Sequence, residues 1–225
     1  MYYLILALTP IIICLFWIYL KDKYQKEPIK VLLKYFIFGI ICGSLAFYIE
    51  EILLRVNIFI GHNYDIYFSY VVSGLVEEGI KFIILLLLLT YEKEFDERID
   101  AIIYSVFLSL GFAFIENFIY IIYEEKHLVY QVSILRTFIS IPAHISFSIT
   151  MGYYLSKFRF ERKREYIVLA FLLPVVLHGT FNFILTLNKS YSLIAFIVFI
   201  AFLLKTNFDK LEEFINLSKR FNKRK

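Results

Sequence analysis

The sequence predicts an all-α polytopic membrane protein, a transmembrane helical bundle of about seven spans. Two observations lead there. Of the 225 residues, 60% are hydrophobic and 20% aromatic, with only 8 glycines and 4 prolines, which excludes disorder and collagen-like repeats. Apolar runs also recur at the length a bilayer-crossing helix needs, about 20 residues, without the ten-residue alternation of β-barrel strands. The formal charge of +4 does not indicate a nucleic-acid binder, because the basic residues cluster in the gaps between apolar runs. Cys14 and Cys42 both fall inside such runs, so no disulfide framework or cysteine metal site is expected.

The expected spans cover residues 2–20, 31–49, 67–90, 101–123, 129–155, 166–187 and 190–204, the last being short enough to be tilted, re-entrant or interfacial. The first lacks the basic flank and cleavage site of a signal peptide and reads as a retained span. Eighteen lysines and arginines lie in alternate gaps and the C-terminal tail, against Arg55, Lys126 and Lys189 in the other gaps. That asymmetry predicts a plasma-membrane protein with its N-terminus outside and its C-terminus in the cytoplasm. Residues 1–205 form the expected membrane domain. Residues 206–225 form a cytoplasmic basic tail, with Phe208, Leu211, Phe214, Ile215, Leu217 and Phe221 at helical spacing, as in an amphipathic helix lying on an anionic leaflet. No internal repeat and no interdomain linker is visible.

The third span is the unusual one. Ser73-Gly-Leu-Val-Glu77-Glu78-Gly-Ile-Lys81 leads into an unbroken aliphatic run, so a span of sufficient length must enclose both carboxylates. A charge near the bilayer centre costs about 2.5–3.5 kcal/mol on insertion scales, a poor choice for mere anchorage. Polar residues in the later spans are few: Glu116 and Asn117 in the fourth, Arg136 and His144 in the fifth, His178 and Asn182 in the sixth. At 1.5 Å of rise per residue, Glu77, Glu116, His144 and His178 all fall about 10–20 Å below the outer ends of their helices. Adjacent spans run in opposite directions, so a shared depth is not built into the spacing. It predicts a polar cavity in the outer half of the membrane.

Each spacing has a chemical sense. Glu77 and Lys81 stand at i and i+4 on one helix face, with Glu78 turned about 100° away. Two coupled carboxylates can divide the roles of acid and base. His178 and Asn182, also i and i+4, present an imidazole and an amide to one spot and could stabilise an oxyanion. Pro142 and Pro174 precede the two histidines and free backbone carbonyls. Arg136 reads as the partner of a carboxylate. Blander roles stand beside these: Glu77 and Lys81 as a register-fixing ion pair, and each histidine as an interhelical hydrogen-bonder. Glu50-Glu51-Ile-Leu-Leu-Arg55 also pairs carboxylates with a cation, but it follows a full-length span and is expected to be a solvated helix end.

Taken in order, Glu77-Glu78-x-x-Lys81, Phe112-x-x-x-Glu116-Asn117, His144 with Gly152 downstream, and His178-x-x-x-Asn182 resemble the PrsW-type intramembrane proteases. These belong to the superfamily of CAAX prenyl endopeptidases and bacteriocin-processing proteins, and the resemblance covers about residues 70–185. It implies an endopeptidase acting on a membrane-anchored protein, an anti-sigma factor cut on its extracytoplasmic side so that a sigma factor is released under envelope stress. It further implies that Glu77 and Glu78 are essential and that one of them activates water. Glu116 and His144 would support that water or a metal, and His178 with Asn182 would bind the oxyanion. The second motif departs from the CAAX-endopeptidase form, which has histidine where Glu116 stands. Glu116, His144 and His178 have the composition of a two-histidine, one-carboxylate zinc site, while a metal-free glutamate mechanism uses the same residues. Two readings from other classes are a proton-coupled transporter, with carboxylates and histidines as a relay, and a non-catalytic membrane scaffold.

Overall fold

The computed structural model describes residues 2–21, 26–187 and 190–222. Lys23, Lys189 and Lys223–Lys225, which enter the charge count above, lie outside them, as does the side chain of Phe221. The described residues are helical throughout, joined by short turns, with no strand. They comprise α1 (Tyr2–Lys21), α2 (Ile29–Arg55), α3 (Gly61–Ile66), the π-helical π1 (Tyr67–Leu75), α4 (Val76–Tyr91), α5 (Asp100–Tyr123), α6 (Val129–Leu135), the π-helical π2 (Arg136–Ser140), α7 (Ile141–Glu161), α8 (Glu165–Thr186) and α9 (Ser190–Asn222).

Among the described residues, six stretches are long and apolar enough to cross a membrane: Tyr2–Leu20, Ile29–Arg55, Asp100–Tyr123, Val129–Glu161, Glu165–Thr186 and Ser192–Lys219. The third expected span, 67–90, is carried by the continuous α3–π1–α4, whose hydropathy is interrupted by Glu77, Glu78 and Lys81. The bundle therefore agrees with about seven spans.

α5 is the central helix. It is buried without interruption from Asp100 to Ala113 and packs against α1, α2, α4 and α7. Small residues permit this. A Cβ on Gly39 would collide with the Leu108 carbonyl, and one on Gly111 with the Phe36 carbonyl, so α2 and α5 cross backbone to backbone. Toward α7, Ser105 Oγ donates to the Ser148 carbonyl at 2.8 Å and Ser109 Oγ to the His144 carbonyl at 3.1 Å. These hydroxyls fix the register of the histidine-bearing helix on α5. Gly152 lets α7 pass close to Ala101, a packing role rather than a chemical one.

Helix ends follow local chemistry. Pro28, at φ −60°, precedes the first turn of α2, and Gly61, at φ +57°, opens α3 with a conformation natural to glycine. Asp100 Oδ2 accepts the N–H groups of Glu97 (2.6 Å) and Asp96 (3.1 Å) at the start of α5. Arg162 closes α7 in the left-handed region, its N–H on the Phe158 carbonyl at 3.0 Å.

The boundary expected near residue 205 is not marked by any break, since α9 runs as one helix from Ser190 to Asn222. Part of its apolar stripe faces protein: Phe214 is fully buried and stacks on Tyr153 at 4.7 Å, with Leu211 and Ile215 against the same core, while Phe208 and Leu217 stay exposed. Lys210 Nζ donates to Thr150 Oγ1 at 2.8 Å and Tyr153 OH to Glu213 at 2.7 Å. α7 covers the part of the amphipathic face around Phe214.

Candidate active site

The two π-helical segments stand directly before the residues singled out from sequence. π1 leads into Glu77 and Glu78 at the start of α4, and π2 leads into Pro142 and His144 at the start of α7. A π-turn holds one more residue than an α-turn and is a recurrent device at functional sites. Pro142 directly follows π2 within the continuous helix Val129–Glu161, and Pro174 lies inside α8 one turn before His178, so each ring removes one helical N–H donor just upstream of a histidine.

Glu77, Glu78, His144 and His178 meet, all buried, with one ligand-capable atom of each within 4.8 Å of the others. Lys81 stands among them. Its Nζ lies 2.6 Å from Glu78 Oε1, 3.6 Å from Glu77 Oε2 and 3.5 Å from His144 Nδ1, and 4.0 Å above the Phe112 ring. Glu78 is thus the closer partner of the lysine, through the i,i+3 spacing, where the sequence suggested Glu77 through i,i+4. Both spacings bring side chains together on a helix surface.

The carboxylates differ accordingly. Glu78 Oε1 is held by Lys81 and by His178 Nδ1 at 2.9 Å. Glu77 is held loosely, at 3.6 Å from Lys81 and 3.9 Å from His178 Nε2, and its buried Oε2 has no hydrogen-bond partner. His178 stacks on Phe147, rings 4.9 Å apart, and lies edge-on to His144 at 5.4 Å.

Glu116 sits one step outside. Its Oε2 bonds His144 Nε2 at 2.7 Å and its Oε1 pairs with Arg136 at 2.8 Å. Arg136 in turn donates to Asn117 Oδ1 at 2.5 Å and lies over the Tyr120 ring at 4.1 Å. The group of donors suited to a metal is therefore Glu77, Glu78, His144 and His178, with Glu116 orienting His144 from behind. That differs from the triad of Glu116, His144 and His178 suggested by residue types alone. Carboxylate and imidazole donors suit zinc, and a carboxylate behind a ligating histidine is the usual outer-shell arrangement. The orphaned Glu77 oxygen adds to the fit, while the ammonium of Lys81 already supplies one positive charge to the same group.

A cavity of about 950 Å³ leads to this cluster, its wall including Glu77, Glu116, His144, His178 and Asn182. Its mouth lies among the C-terminal ends of α2, α5 and α8, near Arg55, Glu124 and Thr186. That is the end of the bundle opposite Lys93, Arg98 and the Lys157–Arg164 cluster. All eight residues singled out, Glu77, Glu78, Lys81, Glu116, Arg136, His144, His178 and Asn182, belong to this one region. Asn182 is half-buried on its wall.

Sequence reasoning missed Glu50. Glu51 and Arg55 form the exposed pair expected, at 3.1 Å, but Glu50 turns inward to line the cavity with a buried, unpartnered Oε1. The signal was present, since nothing between Gly43 and Arg55 breaks a helix and α2 continues past Glu50 by more than a turn.

Comparison with known proteins agrees with this geometry. Residues 27–205 match the family model described as PrsW family intramembrane metalloprotease. The chain is 49% identical over 220 residues to Protease PrsW of Clostridioides difficile (strain 630), covering 96% of this chain and 92% of that protein. It is 32% identical over 200 residues to Protease PrsW of Bacillus subtilis (strain 168), covering 86% and 88%. Protease PrsW of Oceanobacillus iheyensis is 35% identical over 192 residues, covering 84% and 85%. No solved structure matches the chain. With buried carboxylates and histidines at the floor of a cavity inside a membrane bundle, and a family match over most of its length, the chain belongs to the PrsW family of intramembrane metalloproteases.

Proposed function

We propose that this protease cuts a membrane-anchored protein on its extracytoplasmic side, that the substrate is an anti-sigma factor, and that cleavage starts the release of a sigma factor. The supporting observation is the convergence of Glu77, Glu78, His144 and His178 at the floor of a cavity opening away from the Lys/Arg-rich ends. The positive-inside rule then favours a plasma-membrane protein with its N-terminus outside, its C-terminus in the cytoplasm and the cavity outward. Residues 1–205 would carry catalysis and residues 206–225 the cytoplasmic end.

Glu77 is the general base. Its free oxygen takes a proton from water as the water oxygen adds to the scissile carbonyl carbon, and the proton then passes to the departing nitrogen as the C–N bond breaks. Glu78 is the positioning member of the pair, clamped between Lys81 and His178. Asn182, four residues beyond His178, faces the same wall and stabilises the negative oxygen. Glu116 fixes the tautomer and ring orientation of His144, and Arg136 holds Glu116. Glu78, His144, His178 and the Glu77 oxygen not acting as base would hold a zinc ion, which when bound would polarise the carbonyl and acidify water. A proton-relay transporter would use similar side chains, but the family is one of proteases.

The test is cleavage of a co-expressed anti-sigma factor by wild type and by Glu77→Gln and Glu78→Gln proteins that insert normally. Loss of the truncated product in both variants is expected, by about 10²–10⁴-fold for Glu77→Gln. Wild-type rates in either would remove the assignment.

A further inference from the structure

Five carboxylates line the cavity: Glu50, Glu51, Glu77, Glu116 and Glu124. Glu51 is matched by Arg55, Glu116 by Arg136 and His144, and Glu77 by Lys81 and His178. Glu124 caps the N–H of Glu125 at 3.1 Å on the exposed rim. Glu50 alone among them points an oxygen into a buried wall with neither hydrogen bond nor ion pair among the described residues. It lies within electrostatic reach of Glu116 and Lys81, so its surroundings are already charged. A carboxylate taken out of water without a partner is costly, and such a group persists where a partner arrives with the ligand.

Its position says which ligand. Glu50 is five residues before the end of α2, about 7–8 Å below the mouth. The catalytic cluster lies deeper. A substrate chain entering from the mouth therefore passes Glu50 with residues that lie on the membrane-surface side of the scissile bond. In a membrane-anchored protein those juxtamembrane positions are where lysine and arginine snorkel toward the headgroups. Ala46, one turn before Glu50, is buried in the core, and Tyr67 OH donates to the Leu53 carbonyl at 3.2 Å just after it, so α2 is held on both sides of Glu50.

We propose that Glu50 is a specificity-determining residue that receives a lysine or arginine side chain of the substrate, on the membrane-surface side of the cleaved bond. This rests on the proteolytic reading above. The same ammonium chemistry could be offered by an ethanolamine headgroup, and the test separates the two sources.

The full-length protein is reconstituted in phosphatidylcholine and phosphatidylglycerol vesicles, which carry no primary amine. It is supplied with single-span test substrates that differ only by lysine or glutamine at successive juxtamembrane positions. At one position lysine is expected to raise kcat/KM about tenfold over glutamine. In Glu50→Gln that ratio falls toward one, and in Glu50→Lys it falls below one. A ratio near one in wild type, a Glu50 effect equal on both substrates, or an effect seen only after phosphatidylethanolamine is added would overturn the proposal. The Kd ratio of the same substrates, measured by energy transfer on the Glu77→Gln protein, separates this claim from catalysis. If wild type cleaves nothing yet the lysine preference in Kd persists and depends on Glu50, the proteolytic reading fails and the cation pocket stands. If that preference is missing as well, the pocket fails.

Discussion

Replacing Lys81 by methionine keeps the length of the side chain and removes its charge. The ammonium it removes is 2% exposed, 2.6 Å from Glu78 and 3.6 Å from Glu77. Deleting one partner of a buried ion pair leaves an uncompensated charge and costs about 3–5 kcal/mol. At about 2–4 °C per kcal/mol for a chain of this size, the melting temperature should fall by roughly 6–20 °C. Glu78→Gln on top of Lys81→Met removes the stranded carboxylate, so the double variant should recover a coupling of about 0.5–3 kcal/mol relative to additivity. It should not recover cleavage, because His178 then lacks the carboxylate that orients it. Thermal unfolding of the purified protein in detergent, with cleavage of a reconstituted substrate in parallel, reads both. A Lys81→Met protein that melts within about 2 °C of wild type, or a double variant as unstable as the additive sum, would refute the ion-pair reasoning.

Gly39→Leu should cut the yield of folded protein sharply, since even a Cβ there meets the Leu108 carbonyl; monodisperse recovery in mild detergent measures it, and full recovery would contradict the close crossing. Arg136→Gln should lower cleavage about tenfold or more by freeing Glu116 and hence His144, while Arg136→Lys, which keeps one charge but not the fork, should restore part of it. If the carboxylate–histidine group holds zinc, elemental analysis should find about one ion per chain in wild type, and His178→Ala should lower the content 10- to 100-fold or more; equal zinc in both would place it elsewhere. Arg55→Ala, at an exposed i,i+4 pair, should change stability by no more than about 0.5 kcal/mol, in contrast to the buried substitutions.

The spans were legible because hydropathy and length follow from the bilayer itself, and the polar residues of the third to sixth spans converge as their shared depth required. What could not be read was partnership. Whether Lys81 favours Glu77 or Glu78 depends on rotamers, since i+3 and i+4 are both within reach. Glu116 has the chemistry of a ligand, and only Arg136 approaching from π2 shows that it braces His144 instead. Depth counted from a minimal span over residues 31–49 puts Glu50 at the interface, whereas α2 is 27 residues long and the cavity reaches down its inner face. The C-terminal stripe was recognisable by period, but period does not say whether lipid or Tyr153 will cover it.

The widened turns at Tyr67–Leu75 and Arg136–Ser140 act as slack wound into two helices immediately upstream of the chemistry. Taking up one residue of that slack would let either helix regularise while swinging everything after it by about 100°. Glu77 and Glu78, or His144, would then face lipid with every hydrophobic residue of the span still in place. Activity can thus be lost by shortening a segment that touches no substrate, and a chain so altered would still insert and pass for an intact membrane protein.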